Sequence, residues 1–196
     1  MTISVIATSD LSCDDIIVEK CKEWGTHYYR GSDSDVLSRY WGAAQEFPSD
    51  VYFRITSDNP LNDPEFLDAM LEYFEKEKCR YLGGNGKNPL GIGGEVFTAE
   101  LLEEAYNNST EDYEHEHVTP YMYWKQDSIA RFPYEPDHSK YRLTMDTPED
   151  YELIKNVYAA LYNDDNSFTL KEIIEFLDKH PEITAINGSI QQKKVK

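Results

Sequence analysis

The sequence lacks the features that would direct a protein into or across a membrane. No run of apolar residues approaches the roughly 18 that a membrane-spanning helix needs. Residues Met1 to Ala7 have neither a basic flank nor a long apolar stretch, so they do not resemble a signal peptide. Cysteine is also scarce. Cys13, Cys21 and Cys79 are odd in number and have no CxxC spacing, which favours reduced, structural thiols in a cytoplasmic protein.

Positive charge is scarce as well. The 196 residues contain 19 Lys and Arg against 37 Asp and Glu, which gives a formal net charge of -18. Such a surface repels nucleic acid phosphates and anionic membranes, so neither is expected as a partner. The same charge opposes the binding of an anionic small substrate, unless metal ions or local cations neutralise that substrate.

Apolar and aromatic residues are, by contrast, plentiful. Hydrophobic residues make up 40% of the chain and aromatic residues 13%, which is enough to form a core and argues against wholesale disorder. The length fits one domain. We predict a single α/β domain over residues 1–190, followed by a polar tail over residues 191–196.

The chain alternates between strand patterns and helix patterns. Such alternation predicts a doubly wound, mostly parallel sheet covered by helices. The glycine-rich segment 82–94 is predicted to be a loop, with or without a short strand, and it is either a mobile substrate loop or a set of plain turns. The predicted strands are 2–8, 26–30, 51–56, 130–134 and 141–145. The predicted helices are 14–24, 35–47, 64–78, 98–106, 114–124, one beginning at Pro148, and 170–179.

Two aspartates share one context in this pattern. Asp58 and Asp146 each follow a strand and precede a helix that starts with proline. In open α/β sheets, ligands bind at the carboxyl ends of the strands. Two carboxylates brought together there would suit Mg²⁺ and the phosphates of a substrate. Both residues could equally be turn residues whose side chains accept bonds from nearby backbone N–H groups, and at this point both interpretations stay open.

Smaller signals have plain structural interpretations. His115 and His117 are two residues apart, which places them on different faces of a helix, so a polar helix start is favoured over a metal site. Arg54 and Arg142 lie inside predicted strands and are expected to pair with neighbouring carboxylates. The acceptor pattern for N-glycosylation that begins at Asn187 is expected by chance.

Several long motifs together resemble one family. They resemble the spore coat polysaccharide biosynthesis cytidylyltransferases, which are related to the CMP-sugar synthetases that activate acylneuraminate and KDO. The resemblance covers residues 3 to about 160. The motifs, in chain order, are VIATSD (5–10), YRGSDSDVLSRYWGAAQEF (29–47), RITSDNPLNDPEFLD (54–68), GGEVFTAELLEEA (93–105), EHEHVTPYMY (114–123) and RLTMDTPEDYELI (142–154).

This resemblance implies a Rossmann-like fold of the nucleotide-diphospho-sugar transferase type. It implies transfer of CMP from CTP to an oxygen of a sugar or sugar-acid acceptor, with release of pyrophosphate and with Mg²⁺ as cofactor. Asp58 and Asp146 match the two metal-binding, catalytic aspartates of the family. The residues implied on the nucleotide side are Thr8, Ser9, Arg30, Gly31, Ser32 and Arg39, and those on the acceptor side are Glu95, His117 and Thr119.

The sequence also departs from the family pattern. The family begins with a strand and a basic loop of the type Ala-Arg-x-x-Ser-x-Arg-Leu-Pro-x-Lys, which neutralises the triphosphate, and no such loop occurs here. We therefore expect an N-terminally truncated version of the fold, with a sheet edge or gap that must be filled. Gly93 and Gly94 stand where the family commonly has an acid and an apolar residue.

Three functions consequently remain open. The chain could be a cytidylyltransferase that acts in surface or spore-coat polysaccharide synthesis. It could be a catalytically inactive relative that serves as a binding or scaffold subunit, with a homodimer covering the sheet edge. It could also depend on an upstream segment or on a partner chain that supplies the phosphate loop.

Overall fold

A computed structural model describes residues 3–125, 129–163 and 168–192. The described residues form two compact units. Unit 1 comprises residues 3–52 and 97–125, and unit 2 comprises residues 53–96, 129–163 and 168–192. The single domain predicted over residues 1–190 stays a prediction. The predicted tail lies mostly outside the described residues, which end at residue 192.

Strands and helices alternate along the described chain, which confirms the α/β class. None of the helices in the described ranges is both long and apolar enough to cross a membrane. The strands are β1 (Val5–Ser9), β2 (His27–Gly31), β3 (Val51–Arg54), β4 (Tyr81–Gly84), β5 (Glu95–Thr98) and β6 (Ile129–Phe132). The helices are α1 (Asp15–Trp24), α2 (Val36–Glu46), α3 (Pro64–Glu77), α4 (Ala99–Asn108), α5 (Asp112–His117), α6 (Pro120–Trp124), α7 (Pro148–Leu161), α8 (Leu170–Lys179) and α9 (Pro181–Thr184).

Unit 1 is built on the parallel pair β1 and β2, in which Val5 lies opposite His27 and Ser9 lies opposite Gly31. Helix α2 packs against β2 and against α4 and α5. Its core residues recur at helical spacing, as the sequence pattern predicts. The buried side chains of this unit include Leu37, Ala44, Leu101, Leu102, Ala105, Val118 and Met122.

A second sheet has the strand order β3-β5-β4-β6, with β4 and β6 parallel. In unit 2, residues of α7 and α8 form much of an apolar cluster. The cluster residues of α8 recur at i, i+3, i+4 and i+7, which is one face of a helix. The members of the cluster include Leu61, Leu143, Leu153, Ile154, Val157, Leu170, Ile173, Ile174 and Leu177.

Local capping chemistry sets where two of the unit 2 helices begin. The Asp63 carboxylate accepts a hydrogen bond from the Glu65 N–H at 2.9 Å, with Pro64 at the first helical position of α3. Thr147 and Asp150 form a reciprocal capping box at the start of α7. Both helix starts were predicted from the sequence and are confirmed, because caps depend on residues within one turn of each other.

Two predicted elements differ from the structure, and one observed strand was not predicted. The helix predicted over 114–124 is two short helices, because Val118 has a φ of 72° and Pro120 cannot continue the hydrogen-bond ladder of α5. The segment predicted as a strand over 141–145 pairs through one isolated bridge, from Leu90 to Arg142, and so it is an extended segment without a ladder. Strand β5, after the glycine-rich segment, was not predicted.

Candidate active site

The structure brings Asp58 and Asp146 next to each other in unit 2. Asp58 follows β3, and its backbone carbonyl accepts hydrogen bonds from the Met145 N–H at 2.8 Å and from the Thr144 hydroxyl at 3.4 Å. Asp146 is the next residue along that extended segment. The two carboxylates that the sequence pattern singled out therefore extend from neighbouring pieces of backbone.

Neither of these two carboxylates serves the turn in which it lies. In the described part of the chain, no backbone N–H donates to the side chain of Asp58 or Asp146. The turn at Asp146 is instead closed by Asp150, whose Oδ2 accepts from the N–H groups of Asp146 at 3.0 Å and Thr147 at 3.1 Å. The interpretation of Asp58 and Asp146 as mere turn residues therefore has no hydrogen bond to support it.

Asp58 carries an unsatisfied buried oxygen. Its Oδ1 is inaccessible to solvent and has no hydrogen-bond partner among the described residues. A buried carboxylate oxygen without a donor or a cation is costly, and such atoms are rare in folded proteins. A divalent cation would satisfy this oxygen, so the donor chemistry at Asp58 fits a hard metal ion such as Mg²⁺.

Asp146 is held by a buried arginine. Its Oδ2 accepts a hydrogen bond from Arg142 Nη2 at 2.7 Å. Arg142 also binds both oxygens of Asp150, through Nε at 2.8 Å and Nη2 at 2.9 Å. The prediction that Arg142 pairs with a neighbouring carboxylate is confirmed. Its guanidinium thus links the surface carboxylate of Asp146 to the buried carboxylate of Asp150.

Asp150 is fully buried and ionised. Burial by itself would raise the pKa of the Asp150 carboxyl, but the hydrogen bonds from Arg142 and Asn187 outweigh burial and lower the pKa to about 2. The pKa of Arg142 is raised in return, chiefly by its hydrogen bond to Asp150. This carboxylate–guanidinium pair therefore keeps both charges at neutral pH.

A cavity of about 480 Å³ opens in unit 2 beside the end of β3. Glu95 lines it, with Oε2 accepting from Arg54 Nη1 at 2.6 Å and Oε1 accepting from the Tyr81 hydroxyl at 2.5 Å. Arg54 therefore pairs with a carboxylate, as predicted. Asn59 and Asn88 add amide groups to the wall, so this cavity presents charged and hydrogen-bonding groups suited to a polar molecule.

The glycine-rich wall of this cavity is pinned by side chains. The Gly93 N–H donates to Asn62 Oδ1 at 2.6 Å, and Asn88 Nδ2 donates to the Ile92 carbonyl at 2.6 Å. Gly93 has a φ of 94°, and a Cβ on Gly94 would lie 2.4 Å from the Arg54 carbonyl oxygen. Backbone conformation and close packing thus explain why glycine occupies these two positions.

In unit 1, the predicted nucleotide-side residues gather around the carboxyl ends of β1 and β2. The hydroxyls of Thr8 and Ser9 donate to Asp14 Oδ2 at 3.2 Å and 2.6 Å. Arg30 directs all three of its guanidinium nitrogens to protein acceptors, which are the carbonyls of Ser9 and Leu11 and the carboxylate of Asp15. The hydroxyl–carboxylate contacts lower the pKa of Asp14, with the Ser9 hydroxyl as the largest cause.

The rest of the predicted nucleotide side lies on the neighbouring loop. Arg39 Nη1 donates to the Ser32 carbonyl at 2.8 Å, and the Ser32 hydroxyl accepts from the Asp35 N–H at 3.0 Å. A Cβ on Gly31 would lie 3.1 Å from Arg39 Cγ, so glycine leaves room for that arginine. The structure thus brings these predicted residues together at the ends of β1 and β2 and on the loop that follows β2.

The predicted acceptor-side residues are divided between the units. Glu95 lies in unit 2 on the cavity, whereas His117 and Thr119 lie in unit 1 at the break between α5 and α6. His115 Nδ1 lies 3.0 Å from Asp35 Oδ1, so this histidine pairs with a carboxylate. Among the described residues, no group of three or more His, Cys, Asp or Glu side chains could hold a metal ion.

Sequence reasoning missed two residues of this site. Asp150 is the centre of the hydrogen-bond network beneath Asp146, and its only local signal is its position as the third residue of the capping box after Thr147. Asn187 Nδ2 donates to Asp150 Oδ1 at 2.8 Å from a segment 37 residues away. No local pattern marks Asn187, which the sequence shows only as a chance glycosylation match.

The chain has relatives among known proteins and solved structures. The chain is 39% identical to the uncharacterised protein MJ1063 of Methanocaldococcus jannaschii, over 96% of this chain and 78% of that protein. It is 37% identical to the spore coat polysaccharide biosynthesis protein SpsF of Bacillus subtilis, over 91% of this chain and 75% of that protein. A cytidylyltransferase structure from Leptospira borgpetersenii matches with a TM-score of 0.86 and 32% identity, covering 97% of this chain and 80% of that one. The family model described as Cytidylyltransferase matches residues 2–176, so the chain belongs to the cytidylyltransferase family.

Proposed function

We propose that the protein transfers CMP from CTP to a sugar or sugar-acid acceptor for a surface or spore-coat polysaccharide, with Asp58 and Asp146 as catalytic residues. The family assignment supports the CMP transfer, and the similarity to SpsF supports the polysaccharide role. The observation that carries the site is that Asp58 is hydrogen-bonded to the segment just before Asp146, and that Asp58 Oδ1 is buried without a partner among the described residues. The use of CTP and the unpaired thiols of Cys13, Cys21 and Cys79 suit a cytoplasmic protein.

Asp58 and Asp146 would hold Mg²⁺ in this proposal. Bound Mg²⁺ neutralises phosphate charge and polarises the reacting phosphoryl group. Asp58 would contribute Oδ1, which lacks any other partner among the described residues. Asp146 would contribute the oxygen that Arg142 does not bind, because Arg142 contacts Oδ2.

In the reaction an acceptor hydroxyl loses its proton to solvent, and its oxygen bonds to the α-phosphorus of CTP. The bond from that phosphorus to the bridging oxygen breaks, and pyrophosphate leaves. We assign the cavity beside β3 to the acceptor, because Glu95 and the amides of Asn59 and Asn88 line it. Arg54 and Tyr81 fix the Glu95 carboxylate, so Glu95 can accept hydrogen bonds from acceptor hydroxyls without reorienting.

The triphosphate raises a separate requirement. Arg30 and Arg142 use all their guanidinium nitrogens on protein partners, and the chain carries a net charge of -18. Neither of these two arginines therefore has a guanidinium nitrogen left for the phosphates of CTP unless it gives up a protein partner. This observation favours a second candidate, in which the chain acts as a binding or scaffold subunit or needs a partner chain to supply the phosphate loop.

Calorimetric titration of the purified protein with CTP in the presence of Mg²⁺ tests the proposal. We expect micromolar binding for the wild type and loss of that binding for Asp58→Asn. The control is Asp68→Asn, which makes the same charge change at an exposed position of α3 and should bind CTP as the wild type does. Turnover with candidate acceptors is then measured by the release of pyrophosphate.

Two outcomes would contradict parts of this proposal. Equal CTP affinity and equal turnover in wild type and Asp58→Asn would exclude the metal role of Asp58. Absence of binding at millimolar CTP would leave the second candidate, and adding a separately expressed phosphate-loop segment should then restore binding.

A further inference from the structure

A buried network lies directly beneath Asp146. Arg142, Asp150 and Asn187 are 8%, 0% and 2% exposed, and all three are polar. Burying polar groups is favourable only when each is satisfied, and here each side chain has partners within the network. The network connects the end of α7's capping box to the segment that follows α9.

Asn187 is the most distant member of this network in sequence. Its Nδ2 donates to Asp150 Oδ1 at 2.8 Å and to the Arg142 backbone carbonyl at 3.0 Å. It therefore braces Asp150 and the extended segment at Arg142 with one amide group. Asp150 in turn aligns the guanidinium that binds Asp146 Oδ2.

The chain of contacts constrains how the Asp146 carboxylate is oriented. Arg142 Nη2 lies between Asp146 Oδ2 and Asp150 Oδ2, at 2.7 Å and 2.9 Å. The Asp146 backbone N–H is also fixed by Asp150 Oδ2. Asp146 thus has its main chain and one carboxylate oxygen held by the same buried pair, while its side chain remains 37% exposed.

We propose that Asn187, acting through Asp150 and Arg142, is a positioning residue that orients the Asp146 carboxylate for cation binding. This inference rests on the proposed function, in which Asp58 and Asp146 hold the metal ion. Partners that orient a metal ligand typically change metal affinity by about 10-fold to 100-fold when removed. The segment after α9 therefore contributes to the site although it contains none of the expected metal ligands.

Mn²⁺ binding followed by electron paramagnetic resonance tests this inference without requiring turnover. The probe is Mn²⁺ alone, a hard divalent cation with an oxygen-ligand preference similar to that of Mg²⁺. We expect a wild-type site that Asp58→Asn and Asp146→Asn each remove. Asn187→Ala should weaken Mn²⁺ binding by about 10-fold while leaving both carboxylates in place.

A matched control separates positioning from loss of stability. Thr169→Ala removes the capping hydroxyl at the start of α8, in the same unit. It should lower the melting temperature without changing Mn²⁺ affinity. Any variant that only destabilises the fold should likewise lower the melting temperature and leave Mn²⁺ affinity unchanged. Asn187→Ala should instead weaken Mn²⁺ binding at temperatures well below its melting point.

A second variant covers the case in which Asn187→Ala does not fold. Gln192 is exposed, and its Oε1 accepts a hydrogen bond from Arg142 Nη1, so Gln192→Ala should fold and weaken Mn²⁺ binding by a smaller factor. Wild-type Mn²⁺ affinity in every folded network variant, with binding still lost in Asp146→Asn, would overturn the positioning role alone. No Asp58-dependent Mn²⁺ binding in the wild type would overturn the proposed metal site and the positioning role with it.

Discussion

Arginines beside strand ends are used differently in the two units. In unit 1, Arg30 pairs with Asp15 at 2.6 Å, and the two side chains are 29% and 56% exposed. In unit 2, Arg142 pairs with Asp150 at 2.8 Å, and the two side chains are 8% and 0% exposed. Both contacts have good ion-pair distances, so distance alone does not distinguish them.

Burial is what makes the two pairs different. An exposed ion pair contributes little, because water and salt screen it and because ordering two long side chains costs entropy. A buried pair is costly to break from one side, because the remaining charge is left without a partner. The arginine on the predicted nucleotide side can therefore exchange partners at small cost, whereas the arginine beneath Asp146 cannot.

The largest expected difference between the units comes from removing the carboxylate that pairs with each arginine. Asp150→Ala should lower the free energy of unfolding by about 3–5 kcal/mol, because it leaves the buried Arg142 charge uncompensated. Asp15→Ala makes the same substitution opposite Arg30 and should cost less than about 1 kcal/mol. Urea unfolding of both variants measures the contrast, and equal costs would show that burial does not separate the two pairs.

A smaller effect follows from the pKa of Asp150. Its pKa in the folded protein is about 2 against an ordinary 3.8, so its contribution to stability is fully present above pH 3.8 and is lost as the pH falls through about 2. The wild type should lose about 2 kcal/mol of its stability advantage over Asp150→Asn across this window. Unfolding free energies at several acidic pH values would provide the comparison, and a constant difference between the two proteins would contradict it.

The smallest expected effect belongs to a half-exposed pair in unit 1. The hydrogen bond that His115 Nδ1 donates to the Asp35 carboxylate raises the pKa of His115 above the ordinary 6.5. The pair's contribution is therefore present below pH 6.5 and is lost as the pH rises through the folded-state pKa. His115→Gln should remove this pH dependence, with a change below about 1 kcal/mol between mildly acidic and mildly basic buffer. Chemical denaturation midpoints of the two proteins would resolve it, and identical pH profiles would exclude the contribution.

Capping and periodicity made much of the fold predictable. The starts of α3 and α7 follow from Asp63 with Pro64 and from Thr147 with Pro148, because caps and first-turn prolines act within a few residues. The division of the helix predicted over 114–124 also had a local signal in Pro120. The placement of Asp58 after a strand was likewise visible, as was the resemblance to a cytidylyltransferase.

The sequence by itself therefore determined the α/β alternation, the helix starts and the family, and it singled out Asp58 and Asp146 as candidate site residues. Only the tertiary structure decided how the strands pair into two sheets among the described residues, and that Asp150 and Asn187 form hydrogen bonds with Arg142 in the buried network beneath Asp146. Asn187 meets Arg142 across 45 positions of sequence. Contacts of that kind depend on which side chains packing leaves buried, and buried polar groups must find partners wherever the fold places them. The local periodicity of the sequence does not indicate which distant residues will meet this need for hydrogen-bond partners.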